Sequence, residues 1–293
     1  MKELIILGSA NYPDSKESNY GDCIIINTGD KLFIYDCGSE RHAETVIEYM
    51  DSNNFATAEF ILSHNDDDHF KGLPLLIAEK KITKIYTVLL LKHVDAILDA
   101  IDDGRKSRES VKKDILDKYD NIAKLSGCNL CDIYDSSLHL LSNIHPNISI
   151  VGPSYDYMIH TVAKRLDGRE GDTVDGETAV NATSVQLSVS IETHNLLLTG
   201  DSSFPAIEDN VRSHDIIQLP HHGKPKQAKF IFNKKWDQTD SVYLVSDNTG
   251  NSNGGSDELN TTGHHVFNTK SGNITINSSF FAKNQPIRTN KLG

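Results

Sequence analysis

The sequence predicts an α/β fold in which two β-sheets lie face to face with helices on their outer sides, an αββα sandwich. Short apolar runs of strand length recur in both halves of the chain, and a helical pattern follows several of them. Clusters of aspartate and histidine stand directly behind such runs, where strand-end loops of two sheets would share one edge.

Taken in chain order, residues 3–8, 23–28 and 31–36 read as strands, the last two joined by "NTGD", whose Gly29 suits a hairpin turn. "HAETVIEYMDS" then places Ala43, Val46, Ile47 and Met50 at helical spacing. "EFILS" returns to strand, and "FKGLPLLIAEKK" reads as a short helix. From about His93 to Leu125 the pattern is helical and highly charged, and we expect a helical insert at about 93–145, able to serve as a docking surface for a protein partner. Strands resume at "NISIVGP", "SVQLSVSI", "HNLLLTG", "DIIQLP", "SVYLVS" and finally "GNITIN". The polar stretch "DNTGNSNGGSDE" at 247–258 is a loop that is either solvated or borders a site. One domain over 1–293 accounts for all of this.

Composition narrows the function. A chain of 293 residues with 38% hydrophobic and 24% charged residues can bury a large core unaided, so any metal serves chemistry. The net charge of -12 argues against a broad basic face tracking a duplex, while leaving room for a local basic rim. The apolar run Leu4–Leu7 is too short for a secretory signal and nothing approaches a membrane span, so the expected location is cytoplasmic, with no membrane contact. Cys23 and Cys37 fall in strand-like runs as core residues, and Cys128 and Cys131 form a lone C-x-x-C read as a surface turn.

The chemistry concentrates in "SHNDDDHFKG", 63–72. His64, Asp66 and Asp68 alternate, so in an extended loop their side chains point one way while His69 points elsewhere, and one loop can serve two ions. Further ligands are expected from distant strand ends: Asp201 closing "LLLTGD", and His221 and His222 in "LPHHGK". Asp67 reads as a solvated charge or helix cap. His139, His145, His160 and His194 lack such settings and read as structural or exposed, as do His264 and His265 beside a predicted strand.

With these residues in place, the chain resembles the metallo-β-lactamase superfamily, and within it the nuclease-like domain of ComEC-type competence proteins. The resemblance is carried by H-x-D-x-D-H at 64–69, "YGDCIII" at 20–26, "YDCGS" at 35–39, N-x-x-S at 181–184, "LLLTGD" at 196–201 and "PHHG" at 220–223. It implies two divalent ions, with His64 and Asp66 on one, Asp68 and His69 on the other, Asp201 bridging them and His222 completing the second site. By the same resemblance Asp36 buttresses the metal loop through hydrogen bonds, Asp68 orients a metal-bridging hydroxide, and His221 is a ligand, an orienter or a proton donor. Asn181, Ser184 and Lys224 are site-lining or substrate-contacting candidates, Lys224 being either a surface lysine or a phosphate contact. Asn181 stands where many relatives have a histidine, Lys224 follows "HHG" where a serine is usual, and "GGSDEL" replaces a usual His-Pro.

Asp66, Asp68, Asp201 and a hydroxide would balance the four charges of two divalent ions. More oxygen ligands favour harder ions, which makes Mn2+ a rival to Zn2+. The expected activity is hydrolysis of a phosphodiester in nucleic acid or a nucleotide. The alternatives are hydrolysis of a lactone, thioester, phosphocholine-type or other ester at the same site, or a metal-binding regulatory module without turnover.

Overall fold

The computed structural model describes the chain except for residues 102–103, 124, 126–127, 136–140, 142, 169–172, 252–254 and 285–293. Its strands are β1 (Glu3–Ile6), β2 (Cys23–Asn27), β3 (Leu32–Cys37), β4 (Ala58–Ile61), β5 (Ile82–Thr87), β6 (Asn129–Asp132), β7 (Asn143–His145), β8 (Ile148–Gly152), β9 (Thr173–Val174), β10 (Glu177–Thr178), β11 (Gln186–Ile191), β12 (His194–Leu198), β13 (Ile216–Gln218), β14 (Val242–Val245), β15 (His265–Asn268) and β16 (Ile274–Ile276).

They form two seven-stranded sheets, ordered β16-β1-β2-β3-β4-β5-β6 and β15-β14-β13-β12-β11-β8-β7, with β9 and β10 as a small separate hairpin. The two sheets repeat one plan. In the first, β16, β1, β2 and β3 pair antiparallel and β3 to β6 run parallel. In the second, β7, β8, β11 and β12 pair antiparallel and β12 to β15 run parallel.

Alternation along the strands sorts side chains into layers. Leu4, Ile6, Ile24, Ile26, Phe33 and Tyr35 meet Leu187, Val189, Leu196 and Leu198 between the sheets. Each such burial is worth ~1.5–3 kcal/mol. Their neighbours Cys23, Ile25, Leu32 and Ile34 face the helices Glu40–Ser52 and Leu73–Ala78, while Leu197 and Ile217 face Phe204–Val211 and Pro225–Lys234. Helices therefore cover both outer faces. The Tyr35 hydroxyl donates to the Val185 carbonyl at 2.7 Å and ties the sheets together near the site.

The segment 93–145 is only partly helical. It holds the helices Val94–Ile101 and Arg108–Ala123, but also β6 and β7, one at the edge of each sheet. Val94, Ile97 and Ile101 pack in the inter-sheet core with Met158 and Val162 of the helix Tyr155–Asp167. Cys23 and Cys37 are buried, as their strand pattern requires, whereas Cys128 and Cys131 flank and enter β6 and pack in different clusters. His139 lies outside the described residues. Among the described residues no helix is long and apolar enough to cross a membrane.

Candidate metal centre

The parallel strands of both sheets deliver their carboxyl ends to one edge, where ligands of open α/β sheets gather. Asp36 is the penultimate residue of β3, Ser63–His69 follows β4, Asp201 follows β12, and His221 and His222 follow β13. Asp22 joins them because β2 runs antiparallel to β3 and starts at that edge.

The metal loop is clamped by backbone. The Asp22 amide donates to the Asp68 carbonyl at 2.9 Å and the Gly38 amide to the Asp22 carbonyl at 2.9 Å. Gly38 is required here, because a Cβ on it would stand 2.0 Å from the Asp68 carbonyl oxygen. On the opposite side, His221 (φ 52°) and His222 (φ 54°) both adopt the left-handed conformation inside the Pro220–Gly223 turn. Such a pair costs of order 1–3 kcal/mol per residue and persists where surrounding contacts enforce it.

Three imidazoles are oriented alike. His69 Nδ1–H donates to Asp36 Oδ2 at 2.8 Å. His222 Nδ1–H is shared between Asp22 Oδ1 and the Ser246 carbonyl, each at 3.0 Å. His64 Nδ1–H donates to Ser63 Oγ at 2.9 Å and Ser184 Oγ at 3.2 Å, since those hydroxyls already give their protons to Asp36 and the Asn181 carbonyl. Every Nδ1 is thus a donor, so each Nε2 faces the cluster, that of His222 within hydrogen-bond distance of Asp68 Oδ2.

Those nitrogens meet carboxylates. Asp201 divides its oxygens, Oδ1 standing 3.4 Å from His69 Nε2 and Oδ2 3.9 Å from His64 Nε2. Asp68 Oδ2 is 3.1 Å from His222 Nε2 and Oδ1 4.0 Å from His69 Nε2, and Asp66 Oδ2 is 3.7 Å from His64 Nε2. His64 Nε2, His69 Nε2 and Asp201 Oδ1 are buried without any hydrogen-bond partner. These three unpartnered atoms are unfavourable in a dry site unless positive charge, as protons or as metal ions, stands among them. The donor set fits divalent metal ions.

Electrostatics agrees. Burial raises the Asp201 carboxyl, but the nearby His69 and His222 outweigh it and hold it well below the usual carboxylate range. Asp68 and Asp66 behave alike, burial being overcome by His222 and His64 respectively. Burial pushes His69 and His222 down, yet Asp201 with Asp36, and Asp22 with Asp201, raise them well above the ordinary imidazole value. The pocket is built to hold positive charge.

Asp22, His69, Asp201 and His222 form a buried group with ligand atoms within 4.8 Å of one another. Both Asp22 oxygens are occupied, by His222 and by Gln218 Nε2 at 2.8 Å, so it orients a ligand as Asp36 does. His221 points to the flank of the cluster. Its Nδ1 donates to the buried Glu177 Oε2 at 2.8 Å and lies 4.0 Å from Asp201 Oδ2.

Of the other candidates, Asn181 Nδ2 donates to Asp201 Oδ2 at 3.2 Å, and Ser184 Oγ accepts from the Asp201 amide at 3.3 Å as well as from His64. Lys224 is drawn away from the cluster, its ammonium held 2.9 Å from both Glu177 oxygens. A lysine already neutralised by a buried glutamate is poorly placed as a phosphate contact. Asp67 takes the first turn of the short helix Asp67–Phe70. His145, His160 and His194 contact Asp30, the Asp156 carbonyl and Phe281, all away from the cluster, and His264 stacks on Phe232.

Sequence reasoning missed Asp22, Glu177 and Asn19, whose Nδ2 donates to Asp68 Oδ2 at 3.0 Å. "YGDC" was visible as a motif, but the 200 residues separating Asp22 from His222 leave no local signal of their pairing.

Residues 19–246 match the family model of the metallo-beta-lactamase superfamily. The metallo-beta-lactamase fold protein YhfI from Bacillus subtilis is similar in structure, with a TM-score of 0.51 at 14% identity, over 94% of this chain and 99% of that one. Igni18, a metallo hydrolase from the archaeon Ignicoccus hospitalis, aligns over 94% of this chain and 98% of its own at 10% identity and a TM-score of 0.45. The short form of human tRNase Z covers 83% of this chain and 91% of its own at 12% identity and a TM-score of 0.40. No curated protein sequence gives a significant match. With the family model spanning most of the chain and the two-sheet architecture in agreement, the chain belongs to the metallo-β-lactamase superfamily.

Proposed function

We propose that the chain is a dinuclear metal-dependent phosphodiesterase acting on nucleic acid or a nucleotide. The observation that carries the metal assignment is that the Nε2 atoms of His64 and His69 face the two oxygens of one buried aspartate, Asp201, with His222 Nε2 on Asp68 beside them, and that His64 Nε2, His69 Nε2 and Asp201 Oδ1 have no hydrogen-bond partner. His64, Asp66 and Asp201 Oδ2 would hold one ion, and Asp68, His69, His222 and Asp201 Oδ1 the other.

When bound, divalent ions supply a water acidified towards neutral pH and a Lewis acid for the phosphoryl oxygens. The chain supplies the rest. Asp36 and Asp22 fix the His69 and His222 rings so that the same nitrogen of each faces the cleft. Asp68, held by Asn19, is placed to orient the attacking water. His221, anchored at Nδ1 by Glu177, presents Nε2 to the leaving oxygen and, as the imidazolium paired with Glu177, would protonate it. The H-x-D-x-D-H loop supports the phosphodiester reading over other esters through its resemblance to ComEC-type domains, and its oxygen-rich ligand set supports Mn2+ beside Zn2+.

The test is turnover by metal-stripped protein after adding back Mn2+ or Zn2+. Substrates are bis(p-nitrophenyl) phosphate, single-stranded and duplex oligonucleotides, cyclic nucleotides, a lactone, a thioester and a carboxylic ester. Phosphodiester turnover without turnover of the last three is expected. Lactone, thioester or carboxylic ester turnover alone would overturn the substrate assignment, and no turnover with both sites filled would favour a binding module.

A further inference from the structure

The exposed side of the helix Pro225–Lys234 begins directly behind the His221–His222 turn and is unlike the rest of this acidic protein. No acidic residue occurs from Ile216 to Trp236, where five lysines do. Gln227, Ala228, Ile231 and Phe232 face inward. Lys226, Lys229, Phe230 and Asn233 lie three and four apart on the outward face. Phe230 is 44% exposed while stacked on Phe204, and Trp236, just past the helix, is 77% exposed.

The carboxylates nearby are already engaged: Glu177 by Lys224, Glu208 by Lys234 and Asp237 by Arg212. Lys226 and Lys229 form no ion pair among the described residues. The Lys226 ammonium lies against Gly176, 2.9 Å from where a Cβ would sit, and the next residue, Glu177, holds His221. The positive face therefore reaches the rim of the metal cleft.

We propose that this face is a track for single-stranded nucleic acid, with Lys226 and Lys229 on phosphates and Trp236 and Phe230 stacking on bases, leading the strand to the metal centre. The inference rests on the phosphodiesterase reading and adds the form of the substrate and where it lies. Stacking requires bases with open faces, which a duplex does not offer, and two unpaired lysines beside two exposed aromatic rings match a chain of alternating phosphates and bases. Two aromatic rings separated by lysines are too small an apolar area for a membrane anchor.

Trp236 is the only tryptophan in the chain, so its emission reports on this face alone. Metal-free protein in EDTA is titrated with a short single-stranded oligothymidylate, which keeps binding separate from cleavage. Saturable quenching that weakens with added salt is expected. Binding of a fluorescein-labelled oligonucleotide, followed by polarisation, should weaken about tenfold or more in Lys226→Ala/Lys229→Ala and about fivefold or more in Trp236→Ala, with thermal unfolding unchanged. If the oligonucleotide leaves Trp236 emission unaltered while the metal-loaded enzyme cleaves it, the track is elsewhere and only this inference falls. Quenching by anionic vesicles or polyglutamate but not by the oligonucleotide would equally overturn it. Salt-sensitive quenching and weakened variants without any phosphodiester turnover would uphold the track and sink the catalytic reading instead.

Discussion

Asp36→Asn isolates what an oriented histidine contributes to the metal centre. Asp36 is fully buried, accepts from the Ser63 amide at 2.7 Å, from Ser63 Oγ at 2.6 Å and from His69 Nδ1 at 2.8 Å, and sits at φ 57°. Asparagine tolerates that left-handed conformation as well as aspartate does, so the backbone is not the variable. One of its terminal atoms is a donor, and whichever way the amide turns, a donor meets a donor at Ser63 or at His69. Losing a buried hydrogen bond to a charged acceptor costs about 1.5–3 kcal/mol. Freeing the His69 ring, or forcing its other tautomer, should weaken metal binding by about 10- to 100-fold. The assay is Zn2+ and Mn2+ affinity by competition with a chromophoric chelator, alongside thermal unfolding of the metal-free protein. Metal affinity within about threefold of wild type would refute the claim that Asp36 sets the His69 tautomer.

Three further outcomes follow from single positions. Asp201→Ala should lower phosphodiester turnover at least ~100-fold more than Asp67→Ala, because Asp201 faces two histidines and Asp67 is an exposed residue in the first turn of a short helix; comparable losses would remove Asp201 from its bridging place. His42 is buried on the helix Glu40–Ser52 with both ring nitrogens unpartnered, and burial lowers its pKa from 6.5 to about 4. Between those values the unfolded chain binds a proton that the folded chain refuses, so stability falls as pH drops through that window, by up to about 3 kcal/mol. Urea unfolding of metal-free wild type and His42→Leu at pH 7 and pH 4.5 should show a smaller acid loss in the variant, and equal losses would contradict the assignment. Asp66→His exchanges a hard oxygen for a nitrogen ligand and should shift the ratio of Mn2+- to Zn2+-supported turnover towards zinc; an unchanged ratio would refute the charge argument.

Much of the fold is legible because short apolar runs mark β1 to β4 and β12 to β14, and apolar alternation marks β8 and β11, all of which have a face in a core. β5, β6 and β7 escape because "ITKIYT", "NLCD" and "NIH" are short, carry lysine, asparagine or histidine, and flank a helical stretch whose charge pattern dominates the region. The helices Tyr155–Asp167, Phe204–Val211 and Pro225–Lys234 escape as well. The metal loop stands out since six consecutive residues carry five ligand groups, and Asp36, Asp201 and His222 follow from strand ends. The partners of those ligands do not. Asp22 and Glu177 are single acids in turn-like settings, and only three-dimensional proximity gives them His222 and His221. The same proximity demotes Lys224, whose ion pair with Glu177 no spacing rule reveals.

The most direct test of the dinuclear centre is the number of divalent ions held per folded chain. Metal-stripped protein, reloaded with Mn2+ or Zn2+ and freed of excess metal, is measured by inductively coupled plasma mass spectrometry, for wild type, Asp201→Ala and Asp67→Ala. Two ions per chain are expected in wild type and Asp67→Ala, with a clear loss in Asp201→Ala. A single ion in saturated wild type, or two ions retained without Asp201, would contradict a centre in which one buried aspartate joins two metal sites.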